Sequence, residues 1–208
     1  LTLGGTGGYC YISTGGVLQN QGTVNWGNGY IYWQGTNPSI NNSGIFNIDN
    51  AGYGIYYSTA YGSFTNTGTI NKLNAYTAYV QYTAFNNDGN IHITGGTLDN
   101  STGSTFTPTS ISSITGTGTF SNSGTFSLPI NFSFSSGVTF FNSGNISGIG
   151  NLVTNGPFIW NGGTIAGSGT LTPNNNATWS SGTLQRTFAL NNGQTLTIGN
   201  TGSYCYIS

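Results

Sequence analysis

A seven-residue pattern recurs along this chain: an apolar residue, any residue, Asn, any residue, Gly, any residue and a second apolar residue. Its clearest copies are Leu18–Val24, Ile40–Phe46, Phe64–Ile70, Phe85–Ile91, Phe120–Phe126 and Phe140–Ile146. The glycines of the pattern fall mostly 19 to 24 residues apart, and helical periodicity is absent. A repeat of this length is typical of one coil of a β-solenoid, so the 208 residues suffice for about ten coils.

The pattern predicts an all-β fold, a right-handed parallel β-helix of about ten coils with about twenty residues each, in one domain over residues 1–208. Apolar residues at alternate strand positions would line a narrow core. Asn and Gly would make the tight corners, since Gly permits positive φ and Asn tolerates it. Stacked corners would place Asn above Asn in an amide ladder. The predicted corner residues are Asn20, Gly22, Asn42, Gly44, Asn66, Gly68, Asn87, Gly89, Asn122, Gly124, Asn142 and Gly144.

A longer repeat frames the short one. The first thirteen residues, 1–13, return as residues 196–208 with ten of the thirteen positions identical. We therefore interpret residues 1–195 as one unit of a tandem array and residues 196–208 as the start of the next copy, or as an overlap strand for a neighbour. Because this segment restarts the pattern, we expect uncapped solenoid edges that assemble end to end. The predicted assembly interface comprises Leu1, Leu3, Tyr9, Cys10, Tyr11, Leu196, Ile198, Tyr204, Cys205 and Tyr206.

Charged residues make up only 2% of the chain, against about 25% in ordinary domains. Lys72 and Arg186 are the only cations, which argues against nucleic acid as a partner because phosphate binding needs several. The near-zero net charge favours self-association. The sequence has no run of about twenty apolar residues, so we expect no membrane span.

Catalysis is not expected from this composition. The three carboxylates, Asp49, Asp88 and Asp99, fall in different predicted coils, whereas paired hydrolytic carboxylates lie about 5–9.5 Å apart. His92 is the only histidine, and its alternation with two isoleucines predicts that it faces solvent. We therefore predict no enzyme activity, no metal site and no cofactor.

Tyrosines concentrate in one half of the chain. Their alternation with Cys10, Ile31 and Ile55 places these three residues on one strand face and the tyrosines on the other. The predicted lateral aromatic face comprises Tyr30, Tyr32, Tyr56 and Tyr79. Such rings either stack structurally between coils or form a flat surface for another filament, a sugar or a mineral.

The other aromatic and thiol side chains give further expectations. Trp26 and Trp33 are predicted to join the lateral aromatic face, while Trp160 and Trp179 occupy equivalent slots and should stack within or beside the core. Cys10 is interpreted as a core thiol, with a cross-link between neighbouring chains as the alternative. Ten coils would separate Cys10 from Cys205 by about 48 Å, so an intrachain disulfide is excluded.

The strings Phe64–Ile70 and Trp160–Ile165 resemble the coil repeats of large bacterial extracellular proteins, namely filamentous-haemagglutinin-like adhesins and the passenger regions of autotransporters. The resemblance implies a right-handed parallel β-helix at the cell surface, and it carries over no functional residue. We expect a structural unit of an extracellular filament or giant adhesin. The alternative is a surface-binding module for glycans or ice, although the Thr-x-Thr pairs do not repeat in register over successive coils.

Overall fold

The computed structural model describes residues 1–5, 7–109, 112–199 and 202–208, and these residues form strands and turns without any helix. The first thirteen strands are β1 (Thr2–Leu3), β2 (Tyr9–Ile12), β3 (Val17–Asn20), β4 (Thr23–Trp26), β5 (Tyr30–Trp33), β6 (Ser39–Asn42), β7 (Ile45–Ile48), β8 (Gly54–Tyr57), β9 (Gly62–Asn66), β10 (Thr69–Lys72), β11 (Thr77–Val80), β12 (Thr83–Asn87) and β13 (Asn90–Ile93). The others are β14 (Thr97–Asn100), β15 (Thr105–Pro108), β16 (Ser113–Gly116), β17 (Thr119–Asn122), β18 (Thr125–Leu128), β19 (Phe132–Phe134), β20 (Thr139–Asn142), β21 (Asn145–Gly148), β22 (Leu152–Thr154), β23 (Phe158–Pro173), β24 (Ala177–Phe188), β25 (Leu196–Ile198) and β26 (Cys205–Ile207).

Each strand from β1 to β20 pairs in parallel with the strand three places further along the chain, so three strands complete one turn. The first sheet starts β1–β4–β7, the second β2–β5–β8 and the third β3–β6–β9. The long strands β23 and β24 each run through the second, third and first sheets in turn. β25 then extends the second sheet and β26 the third. This is a right-handed parallel β-helix of about ten turns, which confirms the predicted fold class.

Apolar side chains form continuous columns inside the helix because strand residues alternate between the two faces of a sheet. The central column of the third sheet contains Leu18, Ile40, Phe64, Phe85, Phe106, Phe126, Ile146, Ile165, Leu184 and Ile207. Neighbouring rings in this column, such as Phe64 and Phe85, have centroids 5.1 Å apart. Each such ring pair contributes about 0.5–1.5 kcal/mol beyond its buried area, so ring stacking adds to the cohesion between successive turns.

Tryptophans belong to this core rather than to the surface. The expectation that Trp26 and Trp33 join the lateral aromatic face is wrong, because both are fully buried. Trp33 has the same strand parity as Ile31 and therefore points inward, and its indole N–H donates to the Thr83 hydroxyl at 2.8 Å. Trp160 and Trp179 stack inside the solenoid with centroids 4.4 Å apart and planes 6° from parallel.

The corner asparagines face inward and hydrogen-bond along the axis. Asn20, Asn42, Asn66 and Asn87 end successive strands of the third sheet, and each amide nitrogen donates to the next Oδ1 at 2.6–2.7 Å. A second ladder, formed by Asn100, Asn122 and Asn142, ends strands of the second sheet, with bonds of 2.7 Å. The sequence pattern alone suggests one column. The structure divides the asparagines between two corners of the helix.

Corner glycines have a different role from the one expected. Gly44, Gly68 and Gly89 do not adopt positive φ, so backbone freedom does not explain them. A Cβ at Gly68 would instead collide with the carbonyl oxygen of Gly44 one turn away, and a Cβ at Gly89 with that of Gly68. Gly is needed here because successive backbones approach too closely for any side chain.

Candidate assembly and binding surfaces

The first copy of the thirteen-residue repeat forms β1 and β2. β1 pairs with β4 in the first sheet, where Leu3 lies beside Trp26, and β2 pairs with β5 in the second sheet, where Cys10 lies beside Ile31. The backbone of Leu1 accepts a hydrogen bond from the Asn25 amide. All of these contacts are with the turn that follows. The side chains of Leu1, Tyr9 and Tyr11 remain largely exposed.

The second copy forms β25 and β26, with Asn200 and Thr201 outside the described residues. β25 pairs with residues 177–179 in the second sheet, and β26 pairs with residues 182–184 in the third. Its contacts are therefore with the turn that precedes it. Among the predicted interface residues in this copy, Leu196 and Cys205 are partly buried, and Ile198, Tyr204 and Tyr206 are exposed.

The two copies thus lie on different sheets. The first copy begins in the first sheet with β1, whereas the second copy begins in the second sheet with β25. The second copy is therefore displaced by one strand around the solenoid. Sequence reasoning missed this displacement because it counted coils and not strands. A signal existed in the spacing of the pattern, since Asn87 and Asn100 are only thirteen residues apart.

An apolar depression of about 440 Å³ opens beside the second copy. It is lined by Trp179, Leu184, Phe188 and Leu196, by Ile198 and Ile207, which are 57% and 78% exposed, and by the polar residues Arg186 and Thr187. These side chains face along the helix axis, where each turn of the interior would meet the next one. The surface is suited to cover by another apolar turn of the same width.

The lateral aromatic face lies on the outside of the second sheet. Tyr30, Tyr32 and Tyr56 are partly buried neighbours with ring centroids 5.4–6.1 Å apart. Tyr9 and Tyr11 of the first copy extend it, lying 5.8 and 5.5 Å from Tyr30 and Tyr32. Tyr79 lies on the next turn, paired with Gly54 and not with Tyr56, because β8 and β11 are offset.

A second tyrosine cluster was not found from the sequence. Tyr57, Tyr61 and Tyr82 meet at the adjoining corner with centroids 5.2–5.6 Å apart. Tyr82 reaches this position with a positive φ of 51°, which non-glycine residues rarely adopt. Sequence alternation carries no signal for such a cluster because two of its three members, Tyr61 and Tyr82, lie in corners outside the strands.

Crowding of the rings raises the pKa of two phenols. Burial raises the pKa of Tyr32, and the neighbouring Tyr9, Tyr30 and Tyr11 phenols raise it further. Burial and then Tyr30 likewise raise the pKa of Tyr56. Ionisation of this face is therefore unfavourable, and the stability that the rings contribute is lost as the pH rises through their folded-state pKa values.

Both cations of the chain are buried, which the sequence reasoning did not anticipate. The Lys72 ammonium donates to the backbone and side-chain oxygens of Asn74, each at 2.7 Å. The Arg186 guanidinium donates to the carbonyl oxygens of Gly169 and Gly150 at 2.8 and 2.6 Å. Burial lowers the pKa of Arg186, and burial lowers the pKa of Lys72 to about 8 against the opposing effect of the Asp49 carboxylate.

Lys72 should make stability depend on pH. Since its pKa lies near 8 in the folded state and at the ordinary 10.5 in the unfolded state, the unfolded chain binds more protons between these values. We expect the free energy of unfolding to rise by up to about 3 kcal/mol over this window, relative to Lys72→Met. Denaturant titrations of both proteins across the window measure this, and the difference cancels the titration of the tyrosines. A pH-independent difference would contradict the shift.

Acidic and metal-binding side chains do not converge in the described part of the chain. Among those residues, no group of three or more His, Cys, Asp or Glu side chains is placed to hold a metal ion. Asp99 accepts a hydrogen bond from Ser123 at 3.1 Å, whereas Asp88 lies in the turn after β12. His92 is exposed, with its Nδ1 2.8 Å from the Thr115 hydroxyl.

Both cysteines are free and partly buried. Cys10 occupies the second sheet and Cys205 the third, at opposite ends of the solenoid. The Cys205 thiol lies 3.5 Å from the backbone oxygen of Trp179.

Comparisons with known proteins give this chain no relatives. No family model, no curated protein and no solved structure matches it. Within the described residues there is also no helix of the length and apolarity needed to cross a bilayer. The two copies of the repeat, the apolar depression and the tyrosine face are therefore the features from which a function has to be argued.

Proposed function

We propose that this chain is a structural repeat unit of an extracellular filament or giant surface adhesin, joined end to end through its solenoid edges. One observation carries the proposal: a single thirteen-residue sequence pairs with the turn after it in one copy and with the turn before it in the other. The same sequence therefore has a partner on both of its sides, which is the requirement for an interior turn of a continuous array.

The uncovered edges support this proposal. Backbone groups on the open side of β1 and β2, and of β25 and β26, have no strand beside them among the described residues. Exposed parallel edges and apolar end surfaces favour pairing with another chain. The formal net charge of −1 adds little repulsion to such contacts. A stack of identical β-helices has the length and stiffness that a filament or an adhesin stalk needs.

An extracellular location is part of the same proposal. It is supported by the composition, which is rich in Asn, Thr, Ser and Gly and nearly free of Lys and Glu. The resemblance of the chain's coil strings to those of adhesins and autotransporters also supports an extracellular location.

Blocking one edge tests the proposal. We expect the 208-residue chain at high concentration to form rods of increasing length in negative-stain images. Ile198→Lys with Ile207→Lys should abolish elongation, because both side chains are exposed and the two charges would be desolvated at the joint. The matched control is Ile149→Lys, since Ile149 is 73% exposed and lies away from the helix ends. Discrete monomers of the unmodified chain would contradict end-to-end assembly.

A surface-binding module for glycans or ice is the second candidate, and a specific row of side chains favours it. Thr77, Thr97, Thr119 and Thr139 occupy paired positions on successive turns of the second sheet. The Thr-x-Thr pair at Thr105 does not continue in the same way, since Thr105 pairs with Thr125 on the next turn whereas Thr107 pairs with Asn86 on the turn before. Thermal hysteresis and a glycan array test this function, and Thr119→Tyr should remove any activity that depends on the row.

A further inference from the structure

We propose that successive 195-residue units in the end-to-end array are rotated by one third of a turn about the solenoid axis. As a result, the tyrosine face of each unit points in a different direction from that of its neighbours. This inference rests on the proposed function and adds the geometry of the contact between copies. It is carried by the pairing of the two repeats, by the contacts available at the shared turn, and by a displacement already present inside the unit.

The pairing gives the number of turns in one unit. The first sheet continues through β1, β4, β7, β10, β13, β16, β19 and β22 and then through the last parts of β23 and β24. The chain thus passes the first sheet nine times after β1, and β25 follows one strand later in the second sheet. The unit therefore spans nine full turns and one third of the next.

Side chains at the shared turn fit this arrangement. In the array, one copy of the thirteen-residue repeat would contact both the turn before it, as Ile198 does, and the turn after it, as Leu3 does. The residue at this position of the repeat would then lie between Trp179 and Trp26. That residue is Leu or Ile, so a branched aliphatic side chain separates two large rings. The cysteine of the repeat would lie between Gly182 and Ile31, and the tyrosine after it between Thr183 and Tyr32. The cysteine thus lies beside a glycine on one side, and the tyrosine lies beside a threonine on one side and stacks on Tyr32 on the other.

The solenoid already contains a displacement of this kind. The first asparagine ladder ends where Pro108 pairs with Asn87 in the third sheet. The second ladder begins at Asn100 in the second sheet, beside Val80. Between Asn87 and Asn100 the chain advances by two strands, from β12 to β14, where other copies of the pattern are three strands apart. The core therefore accepts a change of sheet by its own repeat, because each of the three sheets presents buried apolar side chains to the interior.

The tyrosines show what the rotation does to the surface. Tyr9 and Tyr11 of the first copy belong to the lateral aromatic face on the second sheet. Tyr206 of the second copy lies on the third sheet, paired with Thr183. The aromatic face of the following unit consequently starts on the third sheet. It returns to the second sheet only after three units.

These counts fix the dimensions of the array. With turns about 4.8 Å apart, each unit advances along the axis by about 45 Å, and three units give a repeat of about 135 Å. Lateral contacts through the tyrosines would then form in three directions around the filament. The product is a bundle and not a flat ribbon.

A polypeptide with three copies of residues 1–195 closed by residues 196–208 tests the rotation. We expect cryo-electron microscopy, reconstructed without imposed symmetry, to show one continuous rod whose units differ by 120° and by about 45 Å. A continuous rod with unrotated units would overturn the inference and leave the proposed function standing. Three separate beads would contradict the proposed function itself.

Hydrogen exchange gives a second measurement that does not depend on imaging. In the rotated array every strand of the junction is paired on both sides, so the amides equivalent to β25 and β26 should exchange slowly. The 208-residue chain, kept dilute enough to stay monomeric, is the matched control, because in the monomer these strands are paired on one side only and should exchange fast. Unrotated units require a strand-length segment at each junction to leave the solenoid, and rapid exchange of such a segment would exclude the rotation.

Discussion

Replacing Asn66 with Leu should lower the free energy of unfolding by about 3 kcal/mol. Asn66 is fully buried, accepts from Asn42 at 2.7 Å and donates to Asn87 at 2.7 Å. Leucine has a similar volume but leaves the amides above and below without their partner. A buried unpaired amide costs more than the hydrogen bond itself contributes, because the group also loses its hydration.

Asn71→Leu is the control for the ladder. Its side chain makes the same kind of bond, from its Nδ2 to Asn47 Oδ1 at 2.9 Å, but on the outer face of the first sheet. Water replaces the lost partner there, so we expect a loss below about 1 kcal/mol. Urea titrations followed by circular dichroism and tryptophan fluorescence measure both variants. Equal losses at Asn66 and Asn71 would show that the buried ladder adds nothing beyond ordinary side-chain bonding.

Gly68→Ala should destabilise the fold by about 3 kcal/mol through overpacking. The added methyl would meet the backbone of Gly44 and Ser43, and a backbone cannot rotate away as a side chain can. The strain can be relieved only if two turns of the helix separate locally. Thermal and denaturant unfolding report the loss.

Gly22→Ala is the matched variant, since Gly22 has the same place in the pattern and no atom within reach of its added methyl. Neither glycine has positive φ, so the two substitutions differ only in what the new carbon touches. We expect Gly22→Ala to change stability by less than about 0.5 kcal/mol. A similar loss at both positions would mean that stacking is not the reason for glycine in the pattern.

Short-range alternation in the sequence predicts which side chains of a strand face the interior of the solenoid. The alternation that placed Cys10, Ile31 and Ile55 in one column holds in the structure, and so does the stacking of Trp160 on Trp179. The same alternation also predicts that Trp33 is buried, since it follows Ile31 by two residues and has the same strand parity. Grouping Trp33 with the tyrosines because it is aromatic hides this signal.

Within the candidate assembly surface, the sequence identified the repeated segments but not their placement. Leu3 and Ile198 are equivalent by sequence, yet they lie in different sheets because the chain advances from one to the other by nine full turns and one further strand. No local feature of the sequence predicts this offset of one strand, since the corners between strands vary in length. Lys72 also became a core residue through its position in the first sheet, between Ile48 and Ile93.

The sequence by itself determined the architecture. It has a period of about twenty residues, alternation within each strand, and a corner rich in Asn and Gly. A stacked parallel coil is the structure that buries the apolar positions of such a sequence. Only the tertiary structure decided which turn lies above which corner. It split the asparagines into two ladders and made glycine a requirement of close backbone contact. The physical reason is that periodicity acts within a strand, whereas register between turns depends on the summed length of all the strands and corners in a coil.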